Sequence, residues 1–187
     1  MPLTFAAPFS AWSRLRRRLM YGAAGVGFVG LGVPLIDAEK RMKATGGPGI
    51  VALELAGPEK VDEILETWGD VGRRAARTST VLDQLWLVTY SVLLAGIWTA
   101  VSERLRGRDR RWLGHGAAVA GWAALAAGAC DAAENTALLG VVTGHGPRHK
   151  LARIAQRAAQ TKFGLLAAPL AGAGAWAAAR RWIGRRG

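Results

Sequence analysis

Cysteine is almost missing from this chain: one residue in 187, Cys130, inside an apolar stretch. A single thiol excludes an intramolecular disulfide and a disulfide-held scaffold, and its expected role is that of an inert buried side chain. Acidic residues are scarce too, 13 against 25 Lys and Arg, for a net charge of +12. The usual catalytic signatures are also absent. There is no Gly-rich phosphate loop ending in Lys-Ser/Thr, no Cys-x-x-Cys, no paired-His helix motif and no nucleophile elbow.

What is present is hydrophobic: 51% of the residues, which excludes a disordered chain. A charge of +12 raises the question of nucleic acid. The basic residues, however, stand in short blocks between long apolar runs, as in a polytopic membrane protein, so the Arg blocks read as topology determinants and anionic-lipid contacts. No nucleic-acid partner and no cofactor are implied.

A helix needs about 20 mainly apolar residues to cross the hydrocarbon core. Four stretches qualify: about 19–36, 78–102, 112–142 and 162–179. The first, Leu19 to Ile36, has no charge; its exit through Pro34 and Asp37 lacks a small-x-small cleavage pattern, so it reads as a retained anchor. Arg14, Arg16, Arg17 and Arg18 precede it, and Arg180, Arg181, Arg185 and Arg186 follow the fourth. The link between spans two and three packs five Arg into nine residues, whereas the link over about 37–77 has seven Lys/Arg and eight acids. The positive-inside rule then places both termini and the short Arg link in the cytoplasm of a bacterial inner membrane, although Lys40, Arg41 and Lys43 weigh the other way. The expected fold is all-α: a single membrane domain over 1–187, an integral four-helix bundle with an extracytoplasmic cap.

That cap is written into the long link. Gly46-Gly47-Pro48-Gly49 is a turn cluster, followed by an apolar run, Ile50 to Leu55, broken by Glu54. Gly57-Pro58 opens a helix with Glu59, Asp62 and Glu63 in its first turns, where acids suit the helix dipole. Val61, Ile64, Leu65, Trp68 and Val71 form its apolar face. In the last link, Lys150, Arg153 and Arg157 share one face and Leu151, Ile154 and Ala158 lie toward another, which predicts an amphipathic lead-in to the fourth span. Small residues four apart let helices approach closely: Ala23/Gly27, Ala120/Ala124/Gly128 and Gly164/Ala168/Gly172 are candidate contacts within the bundle or between copies in an oligomer.

Ionisable residues inside a span cost about 2.5 to 3.5 kcal/mol each at mid-bilayer and so face protein or a cavity. Here they are Asp83, Asp131, Glu134 and Lys162. Asp131, Glu134 and Asn135 stand at i, i+3 and i+4 on one helical face, and Asp83, Trp86 and Tyr90 share another. Asp83 lies about 7 Å inside the long-link face; Asp131, about 28 Å along span three from the opposite side, returns to that face. Lys162 opens span four there and Asp37 closes span one. All these charges therefore meet in one leaflet beneath Glu54, with Tyr90 as the inner floor.

Four readings of this cluster stay open. A structural network would pair Lys162 with a carboxylate and let Asn135 and Tyr90 satisfy the rest. A membrane enzyme would use Asp131, Glu134 or Asp83 as proton donor or base on a lipid or isoprenoid, with Trp86 and Tyr90 lining the site. A binding or transport protein would hold a cationic or hydroxylated lipophilic small molecule on Glu54, Asp83, Trp86, Tyr90, Asp131, Glu134, Asn135 and Lys162. A metal site would recruit His145 and His149, but Asp-x-x-Glu-Asn lacks the His that an i, i+3 metal motif uses, so none is expected. His115 lies at the far end of span three. Three in-span acids against one Lys is more than a structural pair requires, which favours a ligand or proton role; Arg77 or Arg157 are the nearby candidates for further cations.

The run Gly49-Ile50-Val51-Ala52-Leu53-Glu54-Leu55-Ala56, then Trp68, Leu82-Asp83 with Tyr90, Asp131-Ala132-Ala133-Glu134-Asn135 and Lys162 resembles a family of small uncharacterised bacterial four-span integral membrane proteins. The likeness covers about Gly49 to Lys162, with span one matching only in kind, and Asp-x-x-Glu-Asn is its most specific element. It implies four spans and marks the same residues. It implies no reaction.

Overall fold

A computed structural model describes residues 5–108 and 110–183. Arg185 and Arg186 of the last basic block lie outside the described residues. The chain is all-α: α1 Arg14–Lys43, α2 Ile50–Ala56, a 3-10 turn Gly57–Glu59, α3 Val61–Arg106, α4 Arg111–Thr143 and α5 Arg148–Ile183, with no strand among the described residues. Three of these, α1, α3 and α4, are long and apolar enough to cross a membrane. Each helix runs beyond the span expected from hydropathy, because helical hydrogen bonding continues through charged ends where apolarity stops. In α1 the Ser13 hydroxyl caps the start by accepting from Arg16 N, and Lys40, Arg41 and Lys43 occupy the last turn, where cations suit the dipole.

α3 packs along α4, α4 along α5, and α1 along α3. Ala120, Ala124 and Gly128 are buried on the α4 face toward α3, and Gly27 of α1 meets Thr89. The remaining small-residue stripe goes unused within the chain: Gly164, Ala168 and Gly172 are exposed, as is Ala23.

The expected cap helix is the first part of α3. Gly69 breaks it from the rest with φ 52° and ψ −156°, a conformation essentially reserved for glycine. The guanidinium of Arg73 donates to the Leu65 carbonyl across this break at 3.0 Å. Val61, Ile64, Leu65 and Trp68 join one core with Met42, Leu138, Val141 and Ala155, and the Trp68 indole donates to the Pro48 carbonyl at 2.8 Å. Val71 is a correction: it is 57% exposed, because the backbone turn at Gly69 rotates it off the face that precedes it. The α5 lead-in is another. Its buried face is Ala152, Ala155, Ala159 and Lys162, while Ile154 is exposed; alanines let α5 approach α4 closely where a branched chain would hold it off.

One element has no counterpart in the sequence reading. The segment before α1 folds against α3 and α4, with Pro8 fully buried. Thr99 Oγ1 donates to the Pro8 carbonyl at 2.6 Å and Trp122 Nε1 to the Ala6 carbonyl at 2.9 Å. At Gly121 a Cβ would stand 3.0 Å from the Pro8 ring, so glycine is what admits this segment.

Candidate functional site

The site forms where α2, α3, α4 and α5 meet. Lys162 is central because the alanine stripe of α5 carries it into the interior at the i+3 position after Ala159. Its ammonium donates to Asp131 Oδ1 at 2.8 Å, lies 2.9 Å from Glu134 Oε2 and 3.6 Å from Glu54 Oε2. All four of these side chains are buried. Asp131 and Glu134, one helical turn apart on α4, grip the ammonium from one side while α2 lowers Glu54 onto it. Glu54 reaches there because the Glu39 carboxylate accepts from Ile50 N at 3.0 Å, capping a short helix whose own cap residue, Gly49, has no side chain.

The second carboxylate oxygen of Asp131 accepts from Tyr90 Oη at 2.7 Å, so one aspartate is held by a phenol and an ammonium at once. Asp83 is tied separately, accepting from Asn135 Nδ2 at 2.7 Å. Trp86 stacks on Phe28 at 4.9 Å between ring centroids, stands 5.1 Å from Tyr90, and donates its indole N–H to the Phe28 carbonyl. The eight residues singled out in the sequence therefore converge.

Other expectations do not join them. Asp37 pairs with Arg41 on the surface at 2.8 Å, and Arg77 and Arg157 are exposed. His149 and Arg148 both pair with Asp62, His145 contacts Thr143, and His115 lies near Arg106 at the opposite end. Cys130 is a free, half-buried thiol rather than a fully buried one.

Burial pushes the Glu54 carboxyl above its ordinary range, against the pull of the Lys162 ammonium. The buried Glu134 Oε1 has no hydrogen-bond partner among the described residues. Chemically, the cluster joins Glu54, Glu134 and Asp131 through the Lys162 ammonium and extends from Asp131 to the Tyr90 phenol.

Beside it lies a cavity of about 730 Å³, lined by Glu54, Asp83, Asp131 and Lys162 on its polar side and by Phe28, Trp86 and Phe163 on its apolar side. A volume of that order suits a small molecule. It continues into an apolar groove of about 490 Å³ between Phe28 of α1 and Phe163 and Leu166 of α5, floored by Tyr90 and Ile97. The sequence reading missed Phe28, Glu39 and Phe163. Phe28, Gly32, Leu35 and Glu39 stand at helical spacing along α1 and all line the cavity, a stripe that periodicity exposes once its other end is known to carry a charge.

Comparison of the chain with protein-family models, curated proteins and solved structures gives no match.

Proposed function

We propose that the chain is a multi-pass membrane protein, a four-span bundle with both termini cytoplasmic, whose polar pocket binds or transports a lipophilic small molecule. In this arrangement α2 and residues 61–68 cap the bundle on the extracytoplasmic side, and the groove between α1 and α5 opens laterally toward lipid. The observation that carries the reading is the position of the Lys162 cluster at the inner end of an open apolar groove. A network serving only helix register has no need of a cavity beside it, and burying four charged groups is costly unless something is gained. The resemblance noted from the motifs adds the same positions and no activity.

A second reading has its own support. The two glutamates that share the Lys162 ammonium and the Tyr90–Asp131 bond are the parts an acid-base enzyme acting on a lipid or isoprenoid would use. Turnover then falls on one carboxylate, lost in a single substitution with the fold intact, whereas binding declines gradually across several residues.

The test is native mass spectrometry of the protein from mild detergent, with solvent extraction of what co-purifies. A stoichiometric lipophile that disappears in Asp131→Asn is the expected result. A bare protein, equally stable with Asp131→Asn and Glu134→Gln, returns the cluster to a structural role.

A further inference from the structure

The pocket's charge balance restricts what can enter it. Lys162 is the cation of the interior, and three carboxylates already surround its ammonium. It has no capacity left for an anionic head group. Lys43, at the rim of the cavity, is paired with Glu39 at 2.9 Å, and Lys40 is exposed at the same rim, outside the buried cluster.

The carboxylates are differently placed. Asp83 lines the cavity, and its hydrogen bond is to a neutral amide; no cation stands within ion-pair distance of it among the described residues. Glu134 is fully buried with Oε1 lacking a donor. Four carboxyls, Glu54, Asp83, Asp131 and Glu134, thus stand by one buried ammonium, in surroundings where an unbalanced charge is expensive. Next to this surplus stand the rings of Phe28, Trp86 and Tyr90, whose faces attract cations. Beyond them the groove toward Leu166 and Ile97 is apolar and, at about 490 Å³, of a size to take an alkyl chain.

Building on the binding reading above, we infer that the ligand is an amphiphile with a cationic amine or quaternary ammonium head. The head lies against Asp83 and the outer edge of the Asp131 carboxylate, beside the aromatic wall, and the chain lies in the groove between α1 and α5. Ligand binding then neutralises charge that the fold leaves unbalanced, and an anionic lipid of the surrounding bilayer is rejected by the same charges.

Three probes of equal chain length separate the outcomes: dodecyltrimethylammonium, dodecanol and dodecanoate, each titrated below micelle formation against protein in nanodiscs, with adducts counted by native mass spectrometry. The cation is expected to bind about tenfold more tightly than the alcohol, with the carboxylate weakest. Asp83→Asn, which preserves a hydrogen bond to Asn135, should reduce the preference of cation over alcohol severalfold, because one of the two carboxylates facing the head is lost. Alcohol or carboxylate binding as tightly as the cation overturns the cationic head and leaves the pocket standing. None of the three binding to folded wild-type protein overturns the pocket reading itself. Because the wild-type series alone decides the question, a failure of the variant to fold does not shield it.

Discussion

The two ends of the helix assembly both bury polar groups, and they do it in different ways. At the end near the α3–α4 link, neutral side chains bond backbone carbonyls: Thr99 those of Pro8 and Ala95, Ser102 that of Gly114 at 2.7 Å, and the exposed Trp122 that of Ala6. All are neutral donors. The cations there, Arg17 and Arg106, meet the Glu103 carboxylate and the Phe5 carbonyl, and the buried Pro8 packs against Gly121. At the other end, four carboxyls gather around one ammonium next to a cavity. The first pattern is how a fold fastens helices together, since a satisfied neutral bond contributes modestly and costs little to bury. The second pattern does more than fastening needs, which is why the proposed pocket is placed at that end.

The sharpest way to break that contrast is Lys162→Met. Removing the ammonium leaves Asp131, Glu134 and Glu54 facing one another in a buried site, and loss of one partner from such a group costs about 3–5 kcal/mol. Thermal unfolding in detergent should show a large drop, partly restored by adding Asp131→Asn and Glu134→Gln. An unchanged melting temperature would mean that the acids are already neutral, and the argument from surplus charge would fail.

Thr99→Val probes the other end and should do much less. It removes a donor to the Pro8 and Ala95 carbonyls while keeping the shape, for an expected loss of about 1 kcal/mol. Probe binding at the pocket should be untouched. If Thr99→Val instead abolished binding, the two ends would be coupled and their separation into fastening and function would be wrong.

How much of this was legible beforehand follows from which forces leave a trace in one sequence. The helices were, because apolar runs and flanking Arg blocks are direct consequences of an apolar solvent, and the meeting of Asp131 with Lys162 followed from counting rise per residue along the spans. The kink at Gly69 was not, because a lone glycine within a helical pattern does not announce a positive φ; that is why Val71 was assigned to a face it does not join. The stripe on α5 was misjudged for a similar reason. Leu151 and Ile154 have more apolar surface than alanine, but closeness of approach to α4 decided the face, and Ala152, Ala155 and Ala159 took it. The docked N-terminal segment depends on the absence of a side chain at Gly121 and on carbonyls at Ala6 and Pro8, which carry no pattern at all.

The smallest expected effect compares two carboxyls in the long link that are shifted in opposite directions, Asp62 by hydrogen bonds and Glu54 by burial. Asp62 is exposed and accepts from His149 at 2.8 Å and Arg148 at 2.6 Å; these bonds hold its carboxyl below its ordinary value of 3.8. The unfolded chain therefore binds its proton more readily, and the stability Asp62 contributes is fully present above that ordinary value and lost as pH falls through the lower one. Glu54 has the reverse sign. Burial raises it above 4.5, so the folded chain binds the proton more readily, and stability is present below that value and declines as pH rises through the elevated range. Unfolding midpoints measured across acidic and neutral pH should therefore lose their rising limb in Asp62→Asn and their falling component in Glu54→Gln. Matching slopes in the two variants would mean that the buried glutamate is as well solvated as the surface aspartate, and the cavity beside Lys162 would then be an open, wet cleft.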